Sequence, residues 1–400
     1  MTRTKYLILG AGPAGLTFAN RLLQSGETDF LVLEKEDEAG GLCRSMEVDG
    51  GPLDIGGGHF LDVRRQEVNE FLFGFMPEDE WNLFDRDSRI AFEDITIGHP
   101  FEANIWQMPQ DMQVKYLSSI AIAGCNLGEA MPERFTPWIT WKLGKRIAED
   151  YMLPYNAKMF GDELDALGTY WLEKLPNVSF EETLLSCLNR RPYGTQPGHA
   201  KFYYPKEYGY GELWLRMGAA LGERLITKCE VAGLDPQERK VTTQAGDVIA
   251  AEKIIVTIPW TCIRIDGIPE EIGTLLGELK HTAVDVTYEP ETMDTPAHWI
   301  YYPDPELAYH RILVRSNFAT GCKGYWTETN STRFQDEGKE TFHNEYAYPL
   351  NTLGKPAAMV RLLDFMKEKG VIGLGRWGEW EHYNSDVTVK RAMDLAEEIL

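Results

Sequence analysis

An apolar strand breaks into Gly-x-Gly-x-x-Gly within the first fifteen residues, in Tyr6-Leu7-Ile8-Leu9-Gly10-Ala11-Gly12-Pro13-Ala14-Gly15. A second apolar strand ends in an acid, Phe30-Leu31-Val32-Leu33-Glu34, and Gly40-Gly41 follows. In this pattern Gly10 permits a tight turn, Gly12 lets the backbone approach a pyrophosphate, and Gly15 lets the helix pack closely on the strand. Glu34 stands where an acid hydrogen-bonds ribose hydroxyls. The helix N-terminus adds its partial positive charge toward the phosphates. A glycine-rich turn alone would mean little. With strand, helix, second strand and terminal acid all in place, the segment predicts a dinucleotide-binding βαβ unit.

Four hundred residues exceed what one simple core holds, so two or more domains are expected. The formal charge of −22 argues against nucleic acid as a partner, because phosphate backbones need a basic surface. A phosphorylated small molecule remains compatible if a few cations line a cleft. The six cysteines are scattered without C-x-x-C spacing and read as reduced thiols. The histidines form no H-x-x-x-H pair and no Cys/His cluster, so no metal site is predicted. The first strand leaves no room for a signal peptide, and no apolar run is long enough to span a bilayer. The expectation is a cytoplasmic protein without a transmembrane segment; its oligomeric state is not readable.

The opening unit continues to Leu53-Asp54-Ile55-Gly56-Gly57-Gly58-His59, a strand entering a glycine-dense turn that implies a close backbone approach. β-structure with a Pro-containing turn is expected between Arg89 and Gln107, and helical spacing dominates from about Pro109 to Leu175. Short strands follow around 226–231, 240–243 and 253–257, then a β-rich stretch over 281–348. Helices close the chain over 357–369 and 386–399. The predicted class is α/β: a discontinuous Rossmann-like domain over 1–95, 205–275 and 365–400, a mainly helical insertion over 96–204, and a second β-sheet substrate domain over 276–364.

Three pieces resemble the flavoprotein superfamily of amine oxidases, phytoene desaturases, protoporphyrinogen oxidases and UDP-galactopyranose mutases. They are Ile8 to Gly15 with Glu34 and Gly41, then Val231 with Ile254 to Pro259, then Gly373 to Arg376 with Asp386. The mutase branch is similar over nearly the whole chain. Asp54 to His59 resembles its D-x-G-G-H loop, with one extra glycine. His99-Pro100-Phe101-Glu102-Ala103-Asn104 resembles Y-P-F-Q-N-N, and Leu153 to Phe160 resembles R-P-Y-N-x-K-x-W. Trp171 to Lys174 is similar to W-L-G-E-R with a gap of one residue. Tyr309-His310-Arg311, Gly324-Tyr325-Trp326, Tyr348-Pro349 and Gly375-Arg376-Trp377-Gly378 resemble F-Y-R, P-Y-W, the G-Y-P turn and G-R-F-G in the same order.

The resemblance implies FAD of the GR2-type fold, held by Gly10, Gly12, Gly15, Glu34, Gly41, Gly57, Gly58, Val231, Gly375, Arg376 and Asp386, with His59 beside the ring system. It implies a nucleotide-sugar pyranose/furanose mutase that uses reduced flavin N5 as nucleophile. Arg311 would hold the diphosphate, with Lys174 (or Arg190 or Arg191) as second cation and Tyr325 and Tyr348 at the pocket edge. Phe101, Asn156 and Phe160 would border the nucleobase, with Tyr155 supporting the loop. Glu102 for glutamine, Phe160 for tryptophan and His99 for tyrosine depart from that pattern and leave the base and sugar open. The competing readings are an FAD-dependent oxidoreductase acting on an amine, porphyrinogen or apolar substrate, and a flavin-binding protein without catalysis.

Overall fold

The computed structural model describes residues 2–172, 179–192 and 200–400. Thr2–Leu9 is a central strand, buried over most of its length because parallel neighbours cover both edges and helices cover the faces. It lies between Phe30–Leu33 and Val248–Val256, both parallel to it. Leu225–Ile226 extends one side and Val371–Gly373 pairs with Val248–Val256. Lys240–Thr243, Val231–Asp235 and Arg264–Ile265 complete this eight-stranded sheet. Strands from the beginning, middle and end of the chain thus build one nucleotide-type sheet. The helix Pro13–Gln24 packs on it and against the last helix, Ser385–Ile399.

A second sheet of seven strands runs in the order Thr341–Pro349, His281–Glu289, Tyr325–Asn330, Arg311–Leu313, Trp299–Tyr301, Ser88–Phe92, Ile95–Gly98. The hairpin over 88–98 is therefore joined to the strands over 281–349, with Trp299–Tyr301 running parallel to Ser88–Phe92. A small third sheet joins Leu61–Asp62, Lys201–Pro205 and Trp81–Asp85. The helical block comprises Gln110–Ala121, Phe135–Ile147, a π-helical turn over Ala148–Met152, Leu153–Phe160 and Phe180–Asn189. The last of these opens on a capping box, where Ser179 and Glu182 satisfy each other's backbone N–H. Among the described residues no helix is long and apolar enough to cross a membrane.

Side-chain parity in the second sheet decides which residues meet. Tyr301, Arg311 and Glu328 share one rung across three strands. Neighbouring strands in register put such residues on one face. Trp299, Leu313 and Trp326 form the parallel row two residues away. Trp326 is fully buried, and Ile300, Ile312 and Val314 fill a separate cluster on the opposite face. Burying a large apolar side chain contributes roughly 1.5–3 kcal/mol, so a one-residue slip that exchanged the two faces would be strongly disfavoured.

Candidate functional site

Gly10 adopts φ +99°, where a side chain would be strained and its Cβ would stand 2.7 Å from Thr257 Oγ1. A Cβ on Gly15 would collide with the Gly10 carbonyl, which is the close helix–strand packing that the motif predicts. The helix begins at Pro13 with no side-chain cap at Gly12, so its first N–H groups point outward without an internal partner. Glu34 is buried and fixed at its strand end: Oε2 accepts from Ala11 N at 2.8 Å, and Oε1 accepts from Glu36 N at 3.0 Å. Its remaining lone pairs are acceptors for hydroxyls.

These groups open on a cavity of about 550 Å³ whose walls come from both large sheets. Gly10, Gly12, Glu34, Gly41, Val231, Arg376 and Asp386 line it from the nucleotide side. Gly58, His59, Phe60, Trp299, Arg311 and Tyr348 line it from the other. Gly375 holds the closing turn against the first helix, where a Cβ would come within 2.6 Å of Ala14 Cβ. Asp386 accepts from Arg65 Nε at 2.8 Å. Gly15, Gly57 and Gly375 support the walls without lining them.

Arg311 and Glu328 form an ion pair across their rung, with side-chain exposures of 19% and 1%. The other carboxylate oxygen of Glu328 accepts from Gly58 N at 2.9 Å. One buried acid therefore ties the glycine turn to the guanidinium. Burial alone would lower the Arg311 pKa. Glu328, with the hydroxyls of Tyr348, Tyr155 and Tyr301, more than offsets that and keeps it charged. Its Nε is buried without a protein acceptor, as is that of Arg376. Burial, reinforced by Arg376, lowers His59 to about 3, so the ring is neutral and its Nδ1 contacts the Gly57 carbonyl at 3.0 Å. His382, also on the cavity wall, is held neutral by burial and the same arginine. Burial raises Tyr348, which stays a phenol and therefore a donor. Its ring lies 5.0 Å from His382 and 5.5 Å from Arg376.

The residues expected around a nucleobase lie outside this cavity. Phe101 is fully buried and stacked on Tyr151 at 5.1 Å. Tyr155 packs between Tyr151 and Tyr301. Asn156 donates to the Met152 carbonyl at 2.7 Å, and Phe160 packs in the cluster of Phe135 and Trp138. None of the four lines the cavity. Tyr325 alternates with Trp326 and Glu328, so it falls on the face away from Arg311, beside Tyr302 and Tyr309. Lys174 lies outside the described residues. Glu328, Arg86 and His382 are cavity-side residues that no sequence motif marks. The available signal was parity: Trp326-Thr327-Glu328 places an acid on the buried side of a strand.

The uncapped helix end, the glycine cradle, the anchored acid and the unpartnered buried guanidinium nitrogens fit a flavin adenine dinucleotide. The model of the flavin containing amine oxidoreductase family matches residues 13–285. The chain belongs to this family. The family is one of flavin-containing oxidoreductases, and the residues above are those that would hold the cofactor. An uncharacterised protein of Methanothermococcus thermolithotrophicus is 50% identical over 52 residues, 13% of this chain and 49% of that protein. A coproporphyrinogen III oxidase of Mycobacterium bovis is 36% identical over 74 residues, 18% of this chain and 16% of that protein. The chain thus spans about half of the first relative and about a sixth of the second. A crystal structure of reduced UDP-galactopyranose mutase matches with a TM-score of 0.91 at 20% identity, covering 100% of this chain and 94% of that one. At that identity the likeness establishes the fold.

Proposed function

We propose that this flavoenzyme is a nucleotide-sugar pyranose/furanose mutase working with reduced FAD. The observation that carries the reading is the Arg311 guanidinium, fixed by Glu328 and facing the flavin cavity beside the Tyr348 phenol. The mutase-like fold and the order of similar sequence fragments support it. When bound and reduced, the flavin would supply a nucleophilic N5 for the anomeric carbon of the sugar, with no net oxidation. Arg311 binds the diphosphate as it departs and keeps it close for return, a task suited to a planar bidentate donor. Glu328 sets the plane of that guanidinium and the height of the Gly58 turn together. Tyr348 donates a hydrogen bond at the edge of the same space. His59 and His382, being neutral, add no competing charge. Phe60, Phe202 and Trp299 form an apolar ledge that can stack a sugar face and exclude water.

Incubating dithionite-reduced, FAD-loaded protein with UDP-hexopyranoses and other nucleotide-hexopyranoses should yield a furanose product separable by chromatography. Absence of any furanose across the panel would sink the reading. The family description and the coproporphyrinogen oxidase segment favour a second reading, oxidation of an organic substrate. Under that reading a candidate amine or porphyrinogen bleaches the oxidised flavin rapidly without oxygen, and reduced protein leaves nucleotide-sugars unchanged.

A further inference from the structure

Arg86 lies in the short link between the strands Trp81–Asp85 and Ser88–Phe92 and lines the cavity. Its Nε donates to Ser88 Oγ at 2.6 Å and its Nη2 donates to the Tyr301 hydroxyl at 2.9 Å. The guanidinium lies 4.7 Å from the Trp299 ring centroid. Tyr301 is the cross-strand partner of Arg311, so both arginines neighbour one tyrosine, and both line the cavity. Their charge balance differs. Arg311 is neutralised by Glu328. The acids around Arg86 are each held by another cation: Asp62 by Arg64, Asp85 by Lys201 and Asp87 by Arg89. Among the described residues no carboxylate lies within ion-pair reach of Arg86, and its Nη1 has no acceptor.

A guanidinium oriented by two hydroxyls and an indole face, yet left without a counter-charge, is a prepared oxyanion site. We infer that Arg86 is a second substrate-anion residue, holding a phosphate oxygen or a sugar carboxylate on the same side of the cavity as Arg311, beside Trp299. The identity of that ligand rests on the nucleotide-sugar reading; the anion site itself does not. Arg311 alone, paired with Glu328, brings no net charge toward a diphosphate, whereas Arg86 contributes a full one.

Calorimetric titration of the FAD-loaded full chain decides it, with inorganic pyrophosphate, uridine, UDP-galactose and UDP-galacturonate as probes. Wild type is compared with Arg86→Gln and Arg86→Lys. Arg86→Gln should weaken pyrophosphate and both nucleotide-sugars by about tenfold or more, the worth of one charge-assisted contact. Uridine affinity and flavin content should not change. Weakening confined to UDP-galacturonate assigns the oxyanion to the sugar carboxylate. Arg86-dependent pyrophosphate binding without nucleotide-sugar binding keeps the anion site and removes the nucleotide-sugar reading. Equal affinity of wild type and Arg86→Gln for every anion, or no anion binding by wild type, overturns the inference. Should Arg86→Gln fail to load flavin, Arg86→Lys replaces it. Lysine keeps the charge but loses the fork, so about threefold weakening is expected, and unchanged affinity overturns the proposal.

Discussion

Glu328 shows how one buried acid can set several atoms at once. It accepts from Gly58 N, pairs with Arg311 and stands 3.7 Å from the imidazole of His310. Removing it leaves a largely buried guanidinium uncompensated, so Glu328→Ala should lose about 3–5 kcal/mol of unfolding free energy. Urea titration of the FAD-loaded protein measures this, and a loss below about 1 kcal/mol would mean that solvent already screens the pair. Asp54 provides a pH-dependent counterpart. Burial pushes it up to about 7, against hydrogen bonds from Ser45 Oγ and Tyr210 N at 2.5 and 3.1 Å. The folded chain then keeps a proton that the unfolded chain, with an ordinary carboxyl near 3.8, has released. That contribution is full below about pH 4 and is lost as pH rises toward 7, by roughly 4 kcal/mol at most. Asp54→Asn should flatten the decline in this window while the slopes from other groups persist. Identical profiles for the two proteins would show that Asp54 is ionised in the fold.

Strand alternation makes a sharper test at the level of elements. Tyr325 and Tyr348 both stand at positions that resemble mutase motifs, but parity sends the first away from Arg311 and leaves the second on the cavity wall. Steady-state kinetics should therefore separate them. Tyr348→Phe should lower kcat/KM by about tenfold, the usual worth of one lost hydrogen bond to a charged group. Tyr325→Phe should stay within about twofold of wild type. The reverse order would mean that the strand Tyr325–Asn330 is registered differently when substrate binds. The glycine motif, in contrast, was readable residue by residue. Gly10 needs its positive φ and Gly15 its closeness to a carbonyl, and both demands are local to one strand–turn–helix unit.

Across the whole molecule the cavity lies where the two large sheets meet, so a flavin held there would tie them together. Saturating the protein with FAD at about a hundred times its dissociation constant should add roughly 2.7 kcal/mol. For a chain of 400 residues this corresponds to a rise in Tm of about 3 °C. Thermal scans of stripped and reloaded protein measure it. No shift on reloading would mean that FAD binds folded and unfolded chains alike or does not bind at all. The formal charge of −22 matters at this scale too. An acidic exterior repels anions at distance, so capture of an anionic substrate falls to the few guanidinium groups inside the cavity.

The amino-acid sequence by itself determined the βαβ unit, with its glycine turn and the acid at the end of the second strand. These depend on short-range demands of turn geometry, period and residue type, which are written within a few neighbouring positions. Only the tertiary structure decided that Glu328 would neutralise Arg311, that Tyr325 would face away, that Phe101 and Phe160 would serve as core, and that Arg86 would reach the cavity without a counter-ion. Those outcomes follow from register between strands far apart in the chain, and from which carboxylate other cations have already taken. No window of sequence contains either quantity.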